Sequence, residues 1–220
     1  MKIGIIGVGQ IGGTLTRRLL GHEVRVSNSR SPETLADLEN ATGATAVWAK
    51  DATADADLVI VSIPQKNVPD LDQGIVDARK PGAPVIETNN YHPQQRDGEL
   101  AGIEDGQVES AWVADHIGAP VYKVFNGIWW KHLLENGRPS GTPNHIALPI
   151  AGEDGPGRAL VHDVVDQLGF EPVDAGPISE SWRQQPGTPV YGNDFDAEQT
   201  RRALAKATPE RTSEWTARTS

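Results

Sequence analysis

The chain opens MKIGIIGVGQIGGTLTRRLL, and no other stretch limits its fold as strongly. Lys2 to Ile6 is a short β-prone run, and Gly7-Val8-Gly9-Gln10-Ile11-Gly12 follows it directly with the spacing G-x-G-x-x-G. Past the glycines, Ile11, Leu15 and Leu19 recur at helical spacing until Gly21 stops the pattern. A strand that runs through such a loop into a helix suits a dinucleotide. Gly7 makes the tight turn, Gly9 lets a pyrophosphate approach the backbone, and Gly12 lets helix and strand come close. Gln10 and Ile11 then lie at a helix N-terminus whose free N–H groups face the phosphates.

The βα rhythm continues. Glu23 to Ser27 reads as a strand, and Pro32 opens a helix that turns Leu35 and Leu38 inward. Further strands are expected at Ala44–Val47, at Asp57–Pro64 (DLVIVSIP) and at Ala83–Asn89 (APVIETN). Continuous apolar strands alternating with helices predict a Rossmann-type α/β fold, a doubly wound and mostly parallel sheet covered on both faces.

Near residue 120 the texture changes. Residues 1–120 are read as the dinucleotide-binding domain, and 121–220 as a smaller C-terminal α/β domain that closes the cleft, with a sheet that can run on across the boundary. In the second part VYKVFN, HIALPIAG and EPVDAG read as strands. PGRALVHDVVDQLGF reads as a helix with Leu160, Val161, Val164, Val165 and Leu168 inward. Asp196 and Gln199 have the spacing of a capping box, and the polar tail TPERTSEWTARTS is expected to be loosely held.

Composition narrows the partners. A net charge of −10 opposes long-range attraction to nucleic acid or anionic lipid, so any phosphate must be captured locally. No apolar run approaches the length of a membrane span, and the glycines interrupt the N-terminal one before it can act as a leader. With Cys 0 there is no disulfide, thiolate metal site or cysteine nucleophile, and a cytoplasmic location is expected. The histidines, at 22, 92, 116, 132, 145 and 162, lack close metal-ligand spacing, so no metal is expected.

The second strand ends in VRVSNSRSPET. Ser27 stands about 20 residues past Gly7, where an NAD site commonly offers a carboxylate to the ribose 2′-hydroxyl. Here there is no acid. Ser27, Asn28 and Ser29 are neutral donors, and Arg30 adds a cationic fork that suits phosphate oxygens. The expected ligand is therefore NADP(H).

Ligands of parallel sheets bind at the carboxyl ends of strands. This nominates Ser62, Ile63 and Pro64 after one strand and Thr88, Asn89 and Asn90 after the next. In KVFNGIWWKHL the polar candidates are Lys123, Asn126, Lys131 and His132, with Asn126 favoured because it ends an apolar run. Trp129, Trp130 and Trp182 could stack on a ring or fill a core or dimer surface. No triad or G-x-S-x-G elbow is visible.

Taken together, IGIIGVGQIGGTLTRRL, VSNSRSPETL, DLVIVSIP, RDGEL, YKVFNGIWWKHL, IALPIAGEDG, LGFEPVDAGPISES and QQPGTPVY resemble the NADPH-dependent coenzyme F420 reductases, the F420H2:NADP+ oxidoreductase group. The resemblance implies direct hydride exchange between NADP(H) and the deazaflavin F420, stacked in a cleft between the two parts of a homodimer's subunit. One departure is TNNYHPQQRDG, where the family more often has an asparagine and proline directly after the strand. Two alternatives stand beside this reading. One is an NADPH-dependent reductase of a small carbonyl or imine, with Lys123 or His132 as proton donor. The other is a non-catalytic NADP(H) redox sensor.

Overall fold

In the computed structural model, which describes residues 1–218, six parallel strands form one sheet. They are β1 (Lys2–Ile6), β2 (Glu23–Ser27), β3 (Thr45–Ala46), β4 (Leu58–Val61), β5 (Val85–Glu87) and β6 (Tyr122–Lys123), in the order β3-β2-β1-β4-β5-β6. The order reverses between β1 and β4, which leaves a crevice at their carboxyl ends. This is a Rossmann-like α/β fold.

The apolar runs form this sheet because both faces are covered. Leu58 to Val61 are all fully enclosed. One face packs Ile3, Ile5, Ile60 and Ile86 with Leu15 of α1 (Gln10–Arg18), Leu19 just after it, Leu35, and Leu38 of α2 (Ala36–Thr42). The other packs Val59, Val61 and Val85 with Trp112, Val113 and Ile117 of α6 (Glu109–Ile117). The short helices α3 (Ala49–Ala52), α4 (Gln73–Asp77) and α5 (Ala101–Glu104) fill the remaining crossovers.

The strands are shorter than their apolar runs, and the clearest case is β6. VYKVFN promises six strand residues, but Phe125 has φ +64°, a left-handed backbone that ends the ladder and turns the chain at Asn126. β6 lies just past residue 120 and still pairs into the first sheet through Ile86–Tyr122 and Glu87–Lys123. An antiparallel bridge from Lys123 to Ala151 then leads to the second sheet. That sheet is one parallel pair, β7 (Ala147–Ile150) and β8 (Glu171–Asp174), joined by α8 (Pro156–Gln167). Between the sheets, α7 (Trp130–Glu135) lies against α1, where Arg18 donates to the Leu134 carbonyl at 2.8 Å.

The last helix, α9 (Ala197–Lys206), begins with the expected capping box. The Gln199 N–H donates to Asp196 at 2.8 Å, and the Asp196 N–H donates to Gln199 Oε1 at 3.1 Å. Over residues 208–218 the tail is tied down, against the expectation of a loose end, and residues 219–220 of that stretch lie outside the described residues. Arg211 reaches the buried Glu109 carboxylate at 2.9 Å, the Ala217 N–H donates to Glu104 at 2.9 Å, and Arg218 pairs with Glu99 at 2.8 Å and Asp105 at 2.7 Å. Two arginines meeting an acidic stretch explain the difference, because those partners lie about 100 residues away in sequence.

Candidate active site

The glycine loop is built as the pattern requires. Gly7 has φ +93°, and a Cβ there would stand 2.2 Å from the Ser62 carbonyl oxygen. A Cβ on Gly12 would meet the Gly7 oxygen at 1.9 Å, so α1 can start this close to the loop only without a side chain. Gly9 is different. A Cβ there would meet nothing within 4 Å, so the loop faces open space at the start of α1.

That space belongs to a cleft of about 450 Å³. The cleft gathers Gly9, Gln10 and Ile11, the ends of β4 (Ser62, Ile63, Pro64) and β5 (Thr88, Asn89, Asn90), and Asn126. The residues that form it come from five separate stretches of chain, the last of them at Tyr191 and Gly192.

Hydrogen bonds fix the floor. Thr88 donates to Ser62 Oγ at 2.9 Å, and the Ile63 N–H donates to Asn89 Oδ1 at 3.3 Å. The Nδ2 of Asn89 is buried with no partner, a donor left over in the wall of the cleft. Asn126 Nδ2 donates to Asn90 Oδ1 at 3.1 Å and to the Gln184 carbonyl at 2.7 Å, which links the first sheet to the C-terminal part. The open Gly9 loop and the orphaned Asn89 donor both fit a bound dinucleotide.

Behind the floor lies a sealed charge cluster. Lys123, fully buried, pairs with fully buried Glu87 at 3.1 Å and donates to the Asn89 carbonyl at 3.0 Å. Glu87 also accepts the Asn89 N–H at 2.8 Å, and Glu109 accepts the Tyr91 N–H at 3.2 Å. Burial pushes the Glu109 carboxyl above its ordinary pKa, with Lys123 and Arg211 pulling the other way. These charges hold the backbone that carries Asn89 to Tyr91.

The second strand's end lies away from the cleft. Ser27 is fully enclosed, its Oγ has no partner, and its carbonyl accepts the Gly7 N–H at 2.9 Å. Asn28 shapes the turn, with Oδ1 accepting the Arg30 N–H at 2.8 Å and Nδ2 donating to Thr34 at 3.0 Å. Ser29 and Arg30 are exposed, and among the described residues no carboxylate pairs with Arg30.

Other expectations change. Lys123 is sealed behind the floor, and His132 is engaged with Asp194 at 2.6 Å, so neither supplies a proton to the cleft. Trp129 and Trp130 line the cleft, whereas Trp182 lies elsewhere under the Arg183 guanidinium. Sequence reading missed Tyr191 and Gly192. They follow no periodicity and reach the cleft because the Gly192 N–H donates to the Gly127 carbonyl at 3.0 Å. His92 and Arg96, noted only as a change of loop, are the titratable groups from that loop that line the cleft.

Known proteins can now be compared. Residues 2–91 match the family described as NADP oxidoreductase, coenzyme F420-dependent. The match takes in less than half of the chain and shows a likeness of its first part to that family. The family is one of NADP-dependent oxidoreductases, and the match covers the glycine loop, the β2 turn and the β4 and β5 ends. The protein YjhV of Escherichia coli (strain K12) is 39% identical over 76 residues, 34% of this chain and 56% of that relative. The match thus spans about half of the curated relative's length. Over most of the fold the chain is similar to the hypothetical protein SMa0349 from Sinorhizobium meliloti, with 27% identity, a TM-score of 0.73, and 89% and 95% of the two chains covered. A candidate F420-dependent NADP reductase from Arthrobacter sp. FB24 shares the fold at 20% identity and a TM-score of 0.67, over 82% and 87% of the chains.

Proposed function

We propose that this protein transfers a hydride between NADP(H) and a deazaflavin, coenzyme F420. The observation that carries the reading is the lining of the cleft. Amides, backbone and the rings of Trp129, Trp130 and Tyr191 surround it together with His92 and Arg96, and among the described residues no carboxylate or lysine does. Such walls suit two planar rings held face to face more than they suit acid–base hydrolysis. Bound NADPH would supply the hydride from carbon 4 of its nicotinamide.

The chain's own residues bind and orient. Gly9, Gln10 and Ile11 present N–H groups at the start of α1 for the pyrophosphate, with Gly7 and Gly12 setting the approach. Ser29 and Arg30 take the 2′-phosphate, on a turn shaped by Asn28 and carried by Ser27. Ser62, Ile63, Pro64, Asn89 and Asn90 wall the nicotinamide end, and Asn126 ties that wall to residues 121–220, which close the cleft. Exposed Trp48 and Trp129 support a homodimer, and the absence of cysteine supports work in the cytoplasm.

The first test mixes protein, NADPH and oxidised F420 without oxygen, with NADH as control. NADPH-dependent loss of the deazaflavin absorbance is the expected result. NADPH binding with F420 left oxidised would overturn the reading. It would also favour a second one, an NADPH-dependent reductase of a small carbonyl or imine, which the imidazole of His92 in the cleft supports.

A further inference from the structure

We propose that His92 is a catalytic residue that hands the acceptor the proton accompanying the hydride and takes it back in the reverse direction. The inference rests on the hydride-transfer reading above. It names a residue that neither the glycine motif nor the matched family segment, which ends at residue 91, includes.

His92 follows β5 and lines the cleft. Its place is fixed without hydrogen bonds to the ring. The His92 N–H donates to Asp97 Oδ2 at 2.7 Å, and the ring packs on the Trp215 indole with centroids 5.5 Å apart. Nδ1 is enclosed and unpartnered, which leaves Nε2 as the ring nitrogen that exchanges a proton with the cleft. A positioned but uncommitted imidazole is what a proton shuttle requires.

The other candidates are committed. Arg96 is paired with Asp97 at 2.9 Å, Lys123 is sealed against Glu87, and His132 is held by Asp194. Tyr191, which packs on the same indole at 6.1 Å, has its hydroxyl pushed up by burial, so it holds its proton and is poorly suited to take one back in the reverse direction. The charges facing His92 are Arg96 and Asp97 of its own loop. Burial and Arg96 lower its pKa below the ordinary 6.5, and Asp97 opposes them.

The hydride leaves nicotinamide carbon 4 with the electron pair of its C–H bond and forms a C–H bond on the acceptor. The acceptor's double-bond pair moves to its heteroatom, which takes the proton from the His92 imidazolium. Neutral His92 then regains a proton from water. Acceptor reduction should accelerate as pH falls toward the His92 pKa, and the reverse reaction should prefer neutral or higher pH.

Two measurements test this. In His92→Gln, kcat for acceptor reduction should fall about 100-fold, the acid-side rise of the pH profile should vanish, and the NADPH Kd should stay within about twofold of wild type. In the wild-type protein, NMR of the histidine ring nitrogens should show His92 titrating below 6.5 and shifting when NADP+ is added. An unchanged pH profile in His92→Gln, or His92 signals that ignore NADP+, would overturn the proposal. Failure of wild type to reduce F420 removes the deazaflavin reading alone, because the NMR titration with NADP+ still decides the role of His92.

Discussion

Asn90 and Asn126 hold each other across the floor of the cleft. Asn90 Nδ2 donates to the Asn126 carbonyl at 2.8 Å, and Asn126 Nδ2 returns a bond to Asn90 Oδ1 at 3.1 Å. One asparagine lies three residues past β5, and the other follows the left-handed Phe125. The pair is the joint at which the chain beyond residue 121 meets the wall of the cleft.

Asn126→Ala should therefore affect the second substrate more than NADPH. It strands the Gln184 carbonyl and Asn90 Oδ1 and takes one acceptor from Gln184 Nε2, while Asn90 Nδ2 keeps the Asn126 backbone carbonyl, at a cost of about 1–3 kcal/mol of stability. The expected outcome in steady-state kinetics is a raised KM for the acceptor with an NADPH Kd within a few-fold of wild type. Equal weakening of both ligands would contradict this division of labour.

The glycine loop separates folding from binding. Gly12→Ala puts a methyl 1.9 Å from the Gly7 oxygen and should lower the Tm by several degrees, since backbone must move to admit it. Gly9→Ala meets nothing and already has a compatible φ of −69°, so its Tm should match wild type. Its methyl would nevertheless occupy the space a pyrophosphate needs. Thermal melts with and without NADPH check both: Gly9→Ala should lose the ligand-induced rise in Tm.

Arg30 carries the selectivity prediction. Exposed and without a carboxylate partner, it has no structural task that its loss would disturb. Arg30→Ala should weaken NADPH binding about 10- to 150-fold and leave NADH unchanged, as expected for one charge-assisted contact to the 2′-phosphate. Titration calorimetry with the two nucleotides distinguishes this from a general loss of affinity.

Arg211 anchors the tail to the buried Glu109. Arg211→Ala leaves that carboxylate without its arginine and should destabilise the fold by about 3–5 kcal/mol, read by urea unfolding at pH 7. The pH dependence follows from the sign of the shift. Glu109 has its pKa raised in the folded state, so the folded protein favours the protonated acid. Its favourable contribution is present below the ordinary 4.5 and disappears as pH rises through the folded value. The variant's deficit should accordingly be smaller at pH 5 than at pH 8. A deficit that grows toward acid pH would show that Glu109 relies on Arg211 less than the contact suggests.

Much of this was written locally. The first turn of α1, the Gly7 bend and the apolar β4 depend on residues within a few positions of one another, so spacing alone exposes them. The missing acid at Ser27 is likewise a local fact, and it points to a 2′-phosphate without any coordinates. The strand ends were harder to read. VYKVFN is apolar throughout, and only the folded backbone shows Phe125 leaving the ladder.

Long-range contacts decided the rest. Lys123 looked like an available amine, yet β5–β6 pairing seals it against Glu87. The tail looked polar and free, yet Trp215 packs against His92 and Tyr191. The sequence by itself determined where a dinucleotide's phosphates can lie, because a helix N-terminus and three glycines suffice for that. Only the tertiary structure decided what lines the rest of the cleft. That wall is assembled from β5, the Gly127 turn and Tyr191, whose separation along the chain carries no periodic signal and is closed by packing and buried hydrogen bonds.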